Sequence, residues 1–242
     1  MKSLVFAAGL GTRLRPLTDS MPKALVPVGG RPLLDIVLRR LRAAGADDIV
    51  VNAHHFAYQI KDFLASHDYG VRVQISDETD QLLDTGGGLR RAAALFASDE
   101  APILIHNVDI LSNADLPAFY REATACDALL LVSERETSRY LLFNEENRLV
   151  GWTNVKTGEV RSPFVGLEPN ACKHYAFSGI HCFSPRLLPL MQVWPDKFPI
   201  IDFYLEACAH ADIRAAFSPN LRLLDVGKPD ALARAEEFLK EF

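Results

Sequence analysis

Residues 4–18 read Leu4-Val5-Phe6-Ala7-Ala8-Gly9-Leu10-Gly11-Thr12-Arg13-Leu14-Arg15-Pro16-Leu17-Thr18. The apolar run over residues 4–7 has the length and composition of a buried strand. It ends in small residues and two glycines, Gly9 and Gly11, which let backbone N–H groups approach a phosphate with no Cβ in the way. Arg13 and Arg15 follow at once, and guanidinium groups bind phosphate oxygens well. The stretch is not a dinucleotide fingerprint, because Leu14 stands where the third glycine would be. It is not a P-loop either, because no Gly-Lys-Ser/Thr follows the first glycine. Two readings remain for the stretch by itself, a phosphate-binding loop or a tight turn carrying solvated arginines.

Working outward, apolar periodicity predicts a helix over 33–44, a strand over 49–51, a helix over 59–65, a strand over 71–75, a helix over 89–96 and a strand over 103–105. This alternation implies an α/β fold, a parallel sheet with helices on both faces. Such sheets bind ligands beyond the carboxyl ends of their strands. After residue 110 the pattern turns strand-rich, with strands predicted over 128–133, 140–143, 149–152 and 175–183. Asn144-Glu145-Glu146-Asn147 reads as a turn and 157–173 as a loop. Helices are predicted over 199–209 and 230–242. No linker interrupts the chain, so residues 1–242 are expected to form one domain, with a small β-rich lobe in the second half.

Composition narrows the function. The chain has 242 residues, 49% hydrophobic and 24% charged, which suits a globular protein with a substantial core. A net charge of -5 argues against nucleic acid as a partner, because neutralising a phosphate backbone takes a surplus of basic side chains. A small phosphorylated ligand needs only a local cluster of cations. No apolar run approaches the roughly 18 residues of a membrane span. The apolar stretch near Met1 is shorter than the roughly 7–15 residues of a signal peptide core. The four cysteines, at 126, 172, 182 and 208, show no metal-ligand spacing and fit a reducing cytoplasm.

A second motif, Pro22-Lys23-Ala24-Leu25-Val26-Pro27-Val28, follows the glycine loop, and Gly29-Gly30-Arg31-Pro32-Leu33 then opens the predicted helix. Together, AAGLGTRLRPLT and PKALVPV resemble the sugar-1-phosphate nucleotidyltransferase family, whose motif is GxGxRxxPLT followed by PK and a small-apolar run. The resemblance covers most of the chain and is strongest over 1–110. It extends to Leu83-Asp84-Thr85-Gly86-Gly87-Gly88-Leu89, similar to the family's segment along the nucleoside, and to Ile103-Leu104-Ile105-His106-Asn107-Val108-Asp109, similar to the strand ending in its metal-binding aspartate. Leu223-Leu224-Asp225-Val226-Gly227 resembles the family's late D-x-G, where a second aspartate completes the metal site. Within the family the chain looks most like the short bacterial enzymes that uridylylate N-acetylmuramate 1-phosphate, which also carry the TGGG segment.

The resemblance implies a Rossmann-like, mixed and mostly parallel sheet, with a nucleotide-binding half over 1–110 and a sugar-binding half over 111–242. It implies transfer of a nucleotidyl group from a nucleoside triphosphate, UTP above all, to a sugar 1-phosphate. Arg13, Lys23 and Asp109 become the catalytic candidates. Ala8, Gly9, Gly11, Thr12, Arg13, Lys23, Gln81, Gly86 and Gly87 become nucleotide contacts, with the Gln81 amide on the pyrimidine edge. Asn107, Ser178 and Gly179 are assigned to the sugar side, and Asp109 and Asp225 to Mg²⁺. Two departures stand out. Val108 precedes the aspartate where the family has glycine, and the family's acidic-lysine-proline motif is absent, leaving Lys173 and Arg139 as substitutes for the sugar phosphate. A cytidylyltransferase for a phosphorylated alcohol or choline, or an inactive nucleotide-sensing module, would share the N-terminal signature.

Overall fold

A computed structural model of the chain describes residues 1–227 and 229–240. In the first half, β1 (Lys2–Phe6) is followed by a short ribbon of β2 (Pro27–Val28) and β3 (Arg31–Pro32). Then come α1 (Leu33–Ala43), β4 (Asp48–Ala53), α2 (Ala57–Ala65), β5 (Arg72–Asp77), α3 (Asp84–Ala93) and β6 (Ile103–Asn107). The second half adds β7 (Ile110–Ser112), α4 (Leu116–Glu122), β8 (Ala128–Ser133), β9 (Arg139–Phe143), β10 (Leu149–Asn154) and β11 (Glu159–Arg161). It ends with β12 (Lys173–Phe183), α5 (Ile200–Ala207), β13 (Ile213–Ala216), β14 (Leu223–Asp225) and α6 (Pro229–Leu239). The helix predicted to reach Phe242 thus runs to Leu239, and Glu241 and Phe242 lie outside the described residues.

Strands β6, β1, β4 and β5 are parallel neighbours in that order. Because β4 lies on one side of β1 and β6 on the other, the connections diverge between β1 and β6. That is the switch point at which open α/β sheets form a crevice at their carboxyl ends. The central strands read as unbroken apolar runs because both faces are covered. Val5, Val51 and Leu104 pack on the side of α1, while Leu4, Val50 and Ile105 pack on the side of α3 and α5.

Helix α1 illustrates how local sequence defines an element. Asp35 lies in its first turn and Arg40 and Arg42 in its last, each favoured by the helix dipole. Gly45, at φ 96°, then reverses the chain, and the N–H groups of Gly45 and Ala46 donate to the carbonyls of Arg42 and Leu41. This closes the carbonyls that would otherwise be left open at the helix end.

Several expectations change in detail, and the stretch 157–173 expected as a loop carries β11. The β-rich lobe is continuous with the main sheet, because the long β12 pairs antiparallel with β6 through Ile180–Phe183 and with β9 through Lys173–Tyr175. Helix α3 begins at Asp84, five residues before the predicted start, so all three glycines lie within it. Glycine disfavours helix by about 1 kcal/mol per residue, and only tertiary packing makes the segment helical. No helix among the described residues is long and apolar enough to cross a membrane. All four cysteines are free.

Candidate active site

The segment after β1 turns through Gly11, whose φ of 64° favours glycine. A Cβ there would come within 2.9 Å of Thr18 Cγ2 and 3.0 Å of Lys23 Cβ. The Thr18 hydroxyl donates to the Gly11 carbonyl at 2.9 Å, closing the loop on the end of its own motif. The close approach of Gly11 to Lys23 brings the two motifs together. Gly9 is exposed with open space around its Cα, and Thr12 opens a 3-10 turn, Thr12–Leu14, in which Thr12 and Arg13 are exposed and Leu14 is buried. Ala8 is buried and its N–H donates to Asn52 Oδ1.

Lys23 is buried in a further 3-10 turn, Lys23–Leu25, held by N–H donation from Leu25 to Pro22 and from Val26 to Lys23. Its ammonium donates to Asp109 Oδ2. Asp109 follows β6, and the next residues form β7, which pairs with β14 so that Asp225 lies opposite Ile110. The Val226 N–H donates to the Asp109 carbonyl at 2.8 Å, and the Gly227 N–H to Asp225 Oδ1 at 2.8 Å. Gly227 is the meeting point. A Cβ on it would lie 2.6 Å from Arg13 Nη2, 2.7 Å from Asp225 Oδ1 and 3.1 Å from Lys23 Nζ. Two cations and two carboxylates from four separate segments thus converge at the mouth of the β1/β6 crevice. Arg15, by contrast, pairs with Asp19 on the surface at 3.3 Å.

A cavity of about 180 Å³ opens beside the glycine loop, lined by Phe6, Ala8, Gly9, Asn52, Leu82, Asp84 and Thr85. Gly86 and Gly87 follow Thr85 directly in α3 and are buried. A Cβ on Gly86 would lie 2.3 Å from the Phe198 ring, and one on Gly87 2.0 Å from the Asp196 carbonyl oxygen. Their lack of side chains is used to seat α3 against residues 196–198. Gln81 is exposed and outside the cavity lining, its N–H donating to the Glu78 carbonyl at 3.1 Å. Sequence reasoning missed Asn52 and Glu78, both buried, which link the glycine loop to α3. The available signal was a polar residue closing each of two strands, at 52 after the apolar run of β4 and at 78 after β5.

On the other flank, Gly179 adopts φ 73° in the irregular stretch of β12 between Phe177 and His181. A Cβ on it would meet Ile110 Cγ1 at 2.9 Å and Asn107 Nδ2 at 3.0 Å, so Asn107 and Gly179 adjoin. Ser178 is buried and its hydroxyl has no partner among the described residues. Lys173 stays away from this group. It donates to the Glu145 carbonyl at 2.7 Å and to Asn147 Oδ1, bracing the Asn144–Asn147 turn.

The donor set suits a hard cation. Asp109 and Asp225 offer carboxylate oxygens, and among the described residues no three acidic, histidine or cysteine side chains gather into a ready-made cage. Mg²⁺ is commonly held this way, by one or two carboxylates together with substrate phosphates.

The chain matches the family model described as "Nucleotidyl transferase" over residues 2–241. It is 46% identical over 253 aligned positions to an N-acetylmuramate alpha-1-phosphate uridylyltransferase of Caulobacter vibrioides, covering 99% of this chain and 97% of that one. It is 34% identical to a mannose-1-phosphate guanyltransferase of Gibberella zeae, over 81% of this chain and 52% of the other. A solved UDP-glucose pyrophosphorylase of Acinetobacter baumannii superposes with a TM-score of 0.77 at 18% identity, covering 99% of this chain and 97% of that one, a likeness of fold. With the glycine loop, the Lys23 segment and the paired aspartates assembled in one crevice, and with a family match spanning nearly the whole chain, this protein belongs to the nucleotidyl transferase family.

Proposed function

We propose that this protein transfers the uridylyl group of UTP to a sugar 1-phosphate, with N-acetylmuramate 1-phosphate as the acceptor. The convergence of Arg13, Lys23, Asp109 and Asp225 around Gly227 carries the reading of nucleotidyl transfer. The identity to the Caulobacter uridylyltransferase over almost the full length of both chains supports the choice of base and sugar.

In the reaction, an oxygen of the sugar phosphate attacks the α-phosphorus of UTP. The new P–O bond forms as the bond from the α-phosphorus to the bridging oxygen breaks, and pyrophosphate leaves with the electron pair. The nucleophile is already ionised, since a phosphate monoester carries about −1.5 to −2 charges at pH 7. No general base is needed, and the chain's task is to bring two polyanions together in line. Arg13 and Lys23 neutralise the triphosphate, and free backbone N–H groups around Gly9 and Gly11 cradle it. Asp109 and Asp225 would hold Mg²⁺, which supplies charge neutralisation on the phosphoryl oxygens. Exchange of Lys23 between Asp109 and a phosphate oxygen keeps its charge compensated throughout. The cavity beside the glycine loop takes the nucleoside, Gln81 turns in from beside the lining residue Leu82 to read the pyrimidine edge, and Asn107, Ser178 and Gly179 face the sugar. Such an enzyme would work in the cytoplasm, where nucleoside triphosphates are made available.

The test is pyrophosphate release with each of four nucleoside triphosphates against a panel of sugar 1-phosphates, with and without Mg²⁺. Highest kcat/KM is expected for UTP with N-acetylmuramate 1-phosphate, and Gln81→Ala should lower the ratio of UTP to ATP usage. Preference for a purine triphosphate would overturn the base assignment. Nucleotide binding without any pyrophosphate release would identify a sensing module instead.

A further inference from the structure

The Asn52–Glu78 pair lies outside every role assigned above, and it is costly. Glu78 is fully buried, and Asn52 is 2% exposed. Burial pushes the Glu78 carboxyl above its ordinary range. A buried carboxylate is retained at such a place only if its hydrogen bonds are nearly complete. They are directional here. The N–H groups of Ala7 and Ala8, in the segment just after β1, donate to Asn52 Oδ1 at 2.7 and 3.2 Å. With its oxygen committed to two donors, the Asn52 amide presents Nδ2 to Glu78, donating to Oε1 at 2.7 Å. The second carboxylate oxygen, Oε2, accepts from the Leu83 N–H at 3.1 Å, immediately before α3.

The two ends of this chain of bonds are the two walls of the cavity. Ala8 and Gly9 form one wall, Leu82, Asp84 and Thr85 the other, and Asn52 itself reaches the lining. Gly88 makes room for the chain, since a Cβ there would fall 2.8 Å from Glu78 Oε1 and 3.0 Å from Asn52 Nδ2. That accounts for the third glycine of the TGGG segment, as packing against residues 196–198 accounts for the first two. An apolar pair could fill the same volume, yet it would leave three backbone N–H groups buried without acceptors.

We propose that Asn52 and Glu78 are positioning residues that set the width of the nucleoside cavity, holding the glycine loop and the start of α3 at a fixed separation. This rests on the reading of the cavity as the nucleotide site. The polarity of the bonds supplies the test. In Asn52→Asp, the new carboxylate still accepts from Ala7 and Ala8 but opposes the Glu78 carboxylate. In Glu78→Gln, one end of the new amide meets a donor with a donor. The double swap, Asn52→Asp with Glu78→Gln, restores every bond, because the side-chain amide at 78 now donates to the carboxylate at 52 and its oxygen accepts from Leu83.

Each single variant is expected to raise KM for the nucleoside triphosphate about tenfold, the scale of losing one buried hydrogen bond. KM for the sugar 1-phosphate should stay within about twofold, and the swap should recover wild-type KM to within about threefold. Equal rises in both KM values, no rise in the single variants, or a swap no better than the sum of its parts would each overturn the proposal. If both single variants fail to fold, a swap that folds with wild-type KM sustains the coupling and a swap that fails overturns it. Amide hydrogen exchange at Ala7, Ala8 and Leu83 provides a readout independent of turnover. Protection should drop in each single variant and return in the swap. A wild type inactive with every triphosphate would defeat the functional reading, while unchanged protection would defeat the Asn52–Glu78 link.

Discussion

At the scale of single residues, the decisive fact is that Lys23 is both a buried side chain and a phosphate ligand candidate. Its side chain is 11% exposed and that of its partner Asp109 16%. Removing one member of a buried ion pair leaves the other uncompensated. Lys23→Ala is therefore expected to cost about 2 kcal/mol of stability as well as most of the turnover, more than the about 1 kcal/mol that a surface lysine would suggest. Urea denaturation and pyrophosphate release separate the two effects. Asp225→Asn has the opposite profile, because Asp225 is exposed and, among the described residues, its side chain bonds only the Gly227 N–H. It should keep its stability and lose at least about a hundredfold in rate, the scale of one electrostatic element. Near-normal Mg²⁺-dependent turnover in Asp225→Asn would remove that carboxylate from the site.

Among the elements, α3 shows propensity overruled by packing. Three consecutive glycines argue against a helix, which is why periodicity alone starts it at Leu89, yet residues 196–198 approach so closely that only glycine fits at 86 and 87. The backbone is the near neighbour at Gly87, so nothing flexible can give way. Gly87→Ala is expected to destabilise the fold by about 3 kcal/mol, the upper range for overpacking, despite alanine's better helix propensity. A stabilised Gly87→Ala in thermal unfolding would show that α3 and the 196–198 segment are not in contact. The β7–β14 ladder is a different case. Its strands are three residues each, too short for an alternation to register, yet this pairing brings Asp225 beside Asp109.

For the whole molecule, continuity of the sheet through β12 predicts a single unfolding transition spanning both halves. Two histidines in that sheet make its stability pH-dependent. His106 donates from Nδ1 to the Asn107 carbonyl, and His181 Nδ1 pairs with the Tyr204 hydroxyl. Burial lowers both to about 3 from the ordinary 6.5. Between those values the unfolded chain binds protons that the folded chain refuses. Stability is therefore intact above pH 6.5 and falls as the pH drops toward 3, by up to about 1.4 kcal/mol per pH unit for each histidine. Denaturant midpoints measured from pH 7 to 4 should show this slope, and His106→Asn should reduce it by about one proton. An unchanged slope in His106→Asn would mean that His106 takes up a proton in the folded state.

The sequence by itself determined the local chemistry. The strand and glycine loop at 4–11, the βαβ alternation through residue 107 and the cationic and acidic candidates were all legible, because periodicity and backbone permissiveness act over a few neighbouring residues. Only the tertiary structure decided which of these meet. Lys23 and Asp109 are 86 positions apart, and their pairing depends on β6 lying beside β1. Asn52 and Glu78 close the ends of adjacent strands, so their bond exists only once β4 and β5 are in register. From the resemblance the glycines of α3 are expected along the nucleoside, and it is space against residues 196–198 and against Glu78 that leaves room for no other residue there. A residue type limits what a position can do, but burial and close approach arise from segments distant in the chain, and those leave no periodic trace.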